Sequence, residues 1–185
     1  MIRRLTKFIL LAALPALPWC GTPNTARADA GGPDREYKLK AAYIFNFAQF
    51  VDWPAAAFPG GANGPFVIGV VGDPGFAATL EQVVKGKTAG KRNIEVQSFQ
   101  TAANVAHCQI LFIGNAERQN MAGLVRRATT ENILTIGDFD GFLSESGMVR
   151  FVTEDNRLRF EVNKDAADAA QVKLGAQLLK LARNK

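Results

Sequence analysis

Pro65-Phe-Val-Ile-Gly-Val-Val-Gly-Asp-Pro-Gly75 decides the fold. Phe66 to Val71 is apolar without alternation, the pattern of a parallel strand buried on both faces. The turn that follows starts a helix, because Asp73 is a good N-cap and Pro74 suits the first helical position. That helix is expected to reach about Val84. A strand feeding directly into a helix is the repeating unit of a parallel sheet covered on both faces.

The same alternation continues downstream. Arg92 to Ser98 alternates and predicts a second strand, with a short helix over Thr101 to Ala106. Gln109-Ile-Leu-Phe-Ile113 is a third, fully apolar strand, and Asn132 to Ile136 a fourth. Between them Glu117 to Thr129 reads as a helix with Met121, Leu124 and Val125 facing inward. Upstream, Arg35 to Val51 reads as an aromatic helix in which Leu39, Tyr43, Asn46 or Phe47, and Phe50 recur at steps of three and four. Trp53-Pro54 ends it, since the residue before proline leaves the α region. The end of the chain departs from the pattern. Gly147 to Val152 and Arg157 to Asn163 flank the polar turn Thr153-Glu-Asp-Asn156 and predict an antiparallel hairpin. Leu158, Phe160 and Val162 share one face; Arg157, Arg159 and Glu161 share the other, which the alternation predicts to be solvated. One closing helix is expected from about Ala166, with Val172, Gly175 or Ala176, Leu179 and Ala182 as its stripe, widened by Leu174, Leu178 and Leu181. The expected fold is a three-layer α/β sandwich: a mostly parallel sheet with a C-terminal antiparallel hairpin and flanking helices.

The N-terminus reads as a secretory signal over residues 1–28. Arg3, Arg4 and Lys7 form the positive region, and Phe8 to Trp19 is an apolar run too short to cross a bilayer as a helix. Ala26 and Ala28 supply the small residues of the cleavage site, with Ala30 as an alternative cut. Residues 29–34 read as a disordered leader, and 35–185 as one domain. The whole chain has 22 Lys and Arg against 17 Asp and Glu, but the signal holds four of the bases, leaving 18 against 17. The basic balance is therefore no argument for nucleic acid. A chain without the signal keeps Cys108 alone, so it can form no internal disulfide. Cys108 opens an apolar run and reads as a buried small hydrophobe.

No motif predicts catalysis. Gly69, Gly72 and Gly75 are spaced G-x-x-G-x-x-G, not as a dinucleotide fingerprint, and Asp73 would repel a pyrophosphate at the helix start. His107 is the only histidine; its neighbour Cys108 would point to the opposite face, so the two make neither a zinc site nor a catalytic pair. Ser144 and Ser146 lack a G-x-S-x-G context. No cofactor is expected. In open α/β sheets ligands bind beyond the carboxyl ends of the strands. Gly72, Asp73, Gly114, Asn115, Asp138 and Asp140 are thus the rim where a small ligand or cation would sit, an ordinary solvated rim being the plainer reading.

Four blocks taken together resemble the YfiR/HmsC family of periplasmic regulators. They are the helix through Phe45-Asn46-Phe47 to Trp53-Pro54, the strand and turn Pro65 to Gly72, the strand pair Cys108 to Ile113 and Ile133 to Asp138, and the tail Gly147 to Leu181. The resemblance implies a non-enzymatic periplasmic protein that binds an inner-membrane diguanylate cyclase and holds it inactive, so that cyclic-di-GMP and biofilm output respond to the envelope. It also implies homodimers and relief by an outer-membrane lipoprotein. Some family members carry paired cysteines; here Val70 and Phe151 stand in the stretches where partners would be sought. With this function, Arg150, Arg157, Arg159 and Glu161 on the hairpin's charged face are the expected partner-binding residues. The alternative is a small-molecule sensor acting with a kinase or transporter.

Overall fold

The structure is a computed structural model that describes residues 33–183. The export signal, its cleavage residues Ala26 and Ala28, and the leader up to Gly32 lie outside the described residues. In chain order the elements are α1 (Pro33–Phe50), β1 (Val51–Asp52), β2 (Phe66–Val71), α2 (Pro74–Val84), β3 (Thr88–Ala89), β4 (Arg92–Phe99) and β5 (Ile110–Ile113). Then come α3 (Met121–Thr130), β6 (Leu134–Gly137), β7 (Val149–Glu154), β8 (Arg157–Val162), α4 (Lys164–Ala169), β9 (Lys173–Leu174) and α5 (Ala176–Leu181).

Seven strands form one sheet in the order β3-β4-β2-β5-β6-β7-β8. The five inner strands are parallel to one another, and β3 and β8 close the edges antiparallel. All six residues of β2 are buried, which is why the run from Phe66 to Val71 shows no alternation. Phe66, Ile68 and Val70 point into a core with Ile44 and Phe47 of α1 and Phe76 and Leu80 of α2. Val67 and Val71 point into a second core with Met121, Leu124 and Val125 of α3. These two cores are the interlayer spaces of the three-layer sandwich. Asp73 caps α2 as expected, its Oδ1 accepting from the Phe76 amide at 2.9 Å, with Pro74 in the first turn.

Besides small shifts of bounds (α3 begins at Met121 after a 3-10 turn over Asn115–Asn120, the helix expected over 101–106 is a 3-10 turn over Ala102–Asn104, and α1 ends at Phe50), three features differ from the sequence reading. Helix α1 starts at Pro33, and its buried stripe is Ala41, Ile44, Phe47 and Ala48; Leu39 and Phe50 are exposed. The aromatics surround this helix, so periodicity alone leaves its inner face undetermined. The single closing helix is instead α4, a crossing segment and α5. Gln171 takes φ +56°, Val172 turns into the core, and β9 pairs antiparallel with β1 through Val51 and Leu174. The Gly175 amide donates to the Phe50 carbonyl at 2.9 Å. Residues 173–175 thus pair their backbone with the end of α1 and β1, while 170–172 bond back onto α4. The third difference is in the hairpin. Its turn narrows to Asp155-Asn156, both at positive φ, the two-residue turn whose twist suits paired strands. Its charged face is not evenly solvated: Arg157 and Arg159 are exposed, whereas Glu161 is only 4% exposed because Arg150 and Arg183 close over it.

Candidate functional site

The strand order β4-β2-β5 places the topological switch between β2 and β5, with Gly72 and Asp73 after one and Gly114 and Asn115 after the other. This rim is filled by the protein itself. A Cβ on Gly114 would stand 2.7 Å from the Gly72 carbonyl oxygen, and Gly72, at φ +77°, lies beneath the Glu117 side chain. Asp73 is used twice, as the α2 cap and as acceptor of the Tyr37 hydroxyl at 2.9 Å. Burial, then the bond to Asp73, raise Tyr37 above its ordinary pKa. Asn115 is exposed at the start of a 3-10 turn.

The first three turns of α1 lie over the rest of this edge. Lys40 is buried and reaches Asp138 at 2.7 Å and Glu36 at 2.6 Å. Burial by itself would lower its pKa, but the bonds to Asp138 and Glu36 outweigh that and hold Lys40 above the usual lysine value. Asp140 is almost fully exposed and takes Arg150 at 2.9 Å. Arg150 turns its other nitrogens to Glu161, at 3.1 and 2.7 Å. Arg183 approaches the second Glu161 oxygen at 3.6 Å and reaches Glu154 at 3.1 Å; Arg159 lies 3.9 Å from the same Glu154. Asp140, Arg150, Glu161, Arg183 and Glu154 thus join in one run of ion pairs, and Asp138, Lys40 and Glu36 form a second group beside it. Each of these acids is paired with a cation, Asp140 and Glu161 sharing Arg150, and Asp138 and Glu36 sharing Lys40. Among the described residues no group of three or more His, Cys, Asp or Glu side chains is placed to hold a metal ion.

Beside this run, α1 and the hairpin leave a groove of about 310 Å³. Its floor is Leu39, Tyr43 and Leu158, and Arg35 and Arg157 line it. Tyr43 packs on Phe151 and Phe160 and donates to the Leu158 carbonyl at 3.4 Å, so the floor is fixed to the core. Of the groove residues, the sequence reading singled out only Arg157 for a partner. Arg183 and Lys40 were missed as well. The i, i+4 spacing of Glu36 and Lys40 was a visible sign of one pair; nothing local marks Arg183. His107 is exposed, 3.5 Å from Glu131, and Cys108 is buried on the α3 side. Burial pushes the thiol up to about 12.

Among solved structures the fold is similar to that of a conserved domain protein from Vibrio cholerae O1 biovar eltor str. N16961, with a TM-score of 0.51 and 13% identity. The match covers 79% of this chain and 58% of that one, so the chain spans little more than half the length of this structural relative. Comparison with curated proteins returns no match. The YfiR/HmsC-like family model matches residues 37–183, from the tyrosine that bonds Asp73 to the arginine that reaches Glu161. The chain belongs to the YfiR/HmsC-like family.

Proposed function

We propose that this chain is a periplasmic regulator that binds an inner-membrane diguanylate cyclase and holds it in an inactive conformation. The observation that carries this reading is the family match across nearly all the described residues. The family is regulatory and non-catalytic, periplasmic, and linked to cyclic-di-GMP. Two further features support it. No helix of the described residues is long and apolar enough to cross a membrane. The charged side chains at the carboxyl edge of the sheet, which line a cleft of about 390 Å³, are engaged with one another as ion pairs. Inhibition then follows from preference: a protein that binds the inactive cyclase more tightly shifts the population towards it.

The test is to express the chain with its own N-terminus, recover it from the periplasm, and add it to detergent-solubilised inner membranes of the source cells. Retention of a cyclase with a periplasmic segment, and a fall in its cyclic-di-GMP output on adding the chain, are expected. Retention of a kinase or transporter alone would replace the cyclase with another output.

A further inference from the structure

The groove between α1 and the hairpin carries unmatched charge. Arg35 and Arg157 are exposed at its lining, and neither forms an ion pair or a side-chain hydrogen bond with any described residue. Three of the acids around it are already taken, Asp155 in the exposed hairpin turn being the exception. Glu36 holds Lys40 at 2.6 Å, Asp34 holds Lys38 at 2.8 Å, and Glu154 holds Arg183 at 3.1 Å. The same groove has an apolar floor, with Leu39 left 43% exposed although α1 buries its one other aliphatic residue of that size, Ile44. Exposed leucines are common singly; one in a concave slot beside Tyr43 and Leu158, which two unpaired cations also line, is a more specific arrangement. It is complementary to an apolar side chain flanked by carboxylates.

We propose that this groove is the docking surface for a protein segment of the membrane partner that presents a leucine-, isoleucine- or phenylalanine-type side chain with an Asp or Glu on either side. The proposal takes the partner from the functional reading above and moves the contact from the outer face of the hairpin to the slot beside it. Arg150 and Glu161, paired with each other, hold the hairpin rather than meet the partner. A second copy of the chain fits less well. Its most exposed large apolar residue, Leu181, is 72% exposed and stands between Lys180 and Arg183, cations of the same sign as the groove. An anionic lipid surface would meet the cations but leave the concave floor empty.

The test separates the surface from the identity of the partner. Protein labelled with nitrogen-15 and expressed from the full sequence is titrated with the blocked peptide Glu-Leu-Ile-Phe-Asp-Glu and with its twin carrying Lys for each acid. The titration runs to about 2 mM, where a Kd of about 1 mM still registers. Shifts confined to Leu39, Tyr43, Thr153 and Leu158, given by the acidic peptide alone and reduced by salt, are expected. Equal shifts from both peptides, shifts elsewhere or no shift would overturn the proposal. So would capture on phosphatidylglycerol vesicles without peptide shifts, or dimerisation that Leu39→Ser abolishes. Where the membrane test has given a cyclase, Leu39→Ser and Arg35→Glu/Arg157→Glu should each weaken its binding by about tenfold at unchanged Tm. Arg126→Glu on α3 should bind as wild type. Cyclase binding unaffected by the groove variants overturns the surface and leaves the functional reading intact. Peptide shifts in the groove without cyclase binding support the surface and overturn that reading.

Discussion

Glu161 shows how a residue's surroundings can reverse the reading of its type. Its place in a period-two pattern predicts solvent, but Arg150 bonds one oxygen at 2.7 Å and Arg183 approaches the other. A buried carboxylate that loses its cation pays the full cost of desolvation. Arg150→Ala is therefore expected to lower stability by about 3 kcal/mol, part of the penalty being offset by Arg183. The double variant Arg150→Met/Glu161→Leu should cost far less, because no charge is left behind. Urea unfolding of the single and double variants measures this, and additive losses would show that the pair is not coupled. Cys108 gives a prediction in pH. Its thiol is pushed from the ordinary 9.0 to about 12 by burial, so the folded chain keeps the proton where the unfolded chain has lost it. The folded pKa lies above the unfolded one. The contribution is thus complete below the unfolded value and is lost as pH rises through the window between the two. Relative to Cys108→Ala, the wild type should lose about 1.4 kcal/mol of stability per pH unit across that window. Tyr37 and Lys40, also raised, add the same sign to both proteins and cancel in the comparison. Parallel stability curves for the two proteins from pH 8.5 to 10.5 would sink this account.

At the scale of elements, what was legible followed from local chemistry. The apolar runs of β2 and β5 and the cap of α2 can be read from neighbouring residues alone. The break between α4 and α5 cannot, because its cause lies far away in sequence, in the pairing of β9 with β1 at the end of α1 (Val51 with Leu174, Asp52 with Lys173). Gly175 makes that junction close: a Cβ there would stand 2.4 Å from the Phe50 carbonyl oxygen, which also accepts the Gly175 amide. Gly175→Ala must push backbone apart and is expected to cost about 1–3 kcal/mol. Gly123→Ala in α3 is the control, since the nearest atom to its Cβ would be 4.0 Å away on the tip of Arg126. There the helix should gain up to about 1 kcal/mol from alanine's higher propensity. Denaturant midpoints moving in opposite directions for the two variants would support the junction; a neutral Gly175→Ala would show that β1 and β9 part easily. The inner face of α1 was illegible for another reason. Tyr43, Phe45, Phe47 and Phe50 spread around the helix, and Lys40, on the buried side, is acceptable there only because Asp138 and Glu36 meet it.

For the whole molecule, the sandwich was legible because each layer has its own sequence signature. The candidate site was not, because it is made where α1, the hairpin and the tail converge. Arg35, Leu39 and Tyr43 follow one another at steps of four on α1, but Leu158 of β8 is 115 residues beyond Tyr43, and nothing in α1 alone advertises that meeting. The same whole-molecule geometry decides how the protein can be controlled. Cys108 is the free cysteine of the described residues and lies in the core on the α3 side. Val70 and Phe151, in the stretches where a partner cysteine would be sought, are buried in the other core, across the sheet. A disulfide needs its two Cα atoms within about 7 Å and side chains that face each other, and opposite faces of a sheet deny the second condition. An intermolecular bridge needs an accessible thiolate, whereas this thiol is 2% exposed and held protonated. On the function proposed above, control of the partner would therefore rest on docking rather than on a thiol switch. Inhibition of the partner cyclase should be the same with and without reductant, and the same for Cys108→Ala as for wild type. Cyclic-di-GMP formation by the reconstituted pair, assayed under oxidising and reducing conditions, measures it. A response to reductant that Cys108→Ala removes would place a redox step back in the mechanism and require the α3-side core to open.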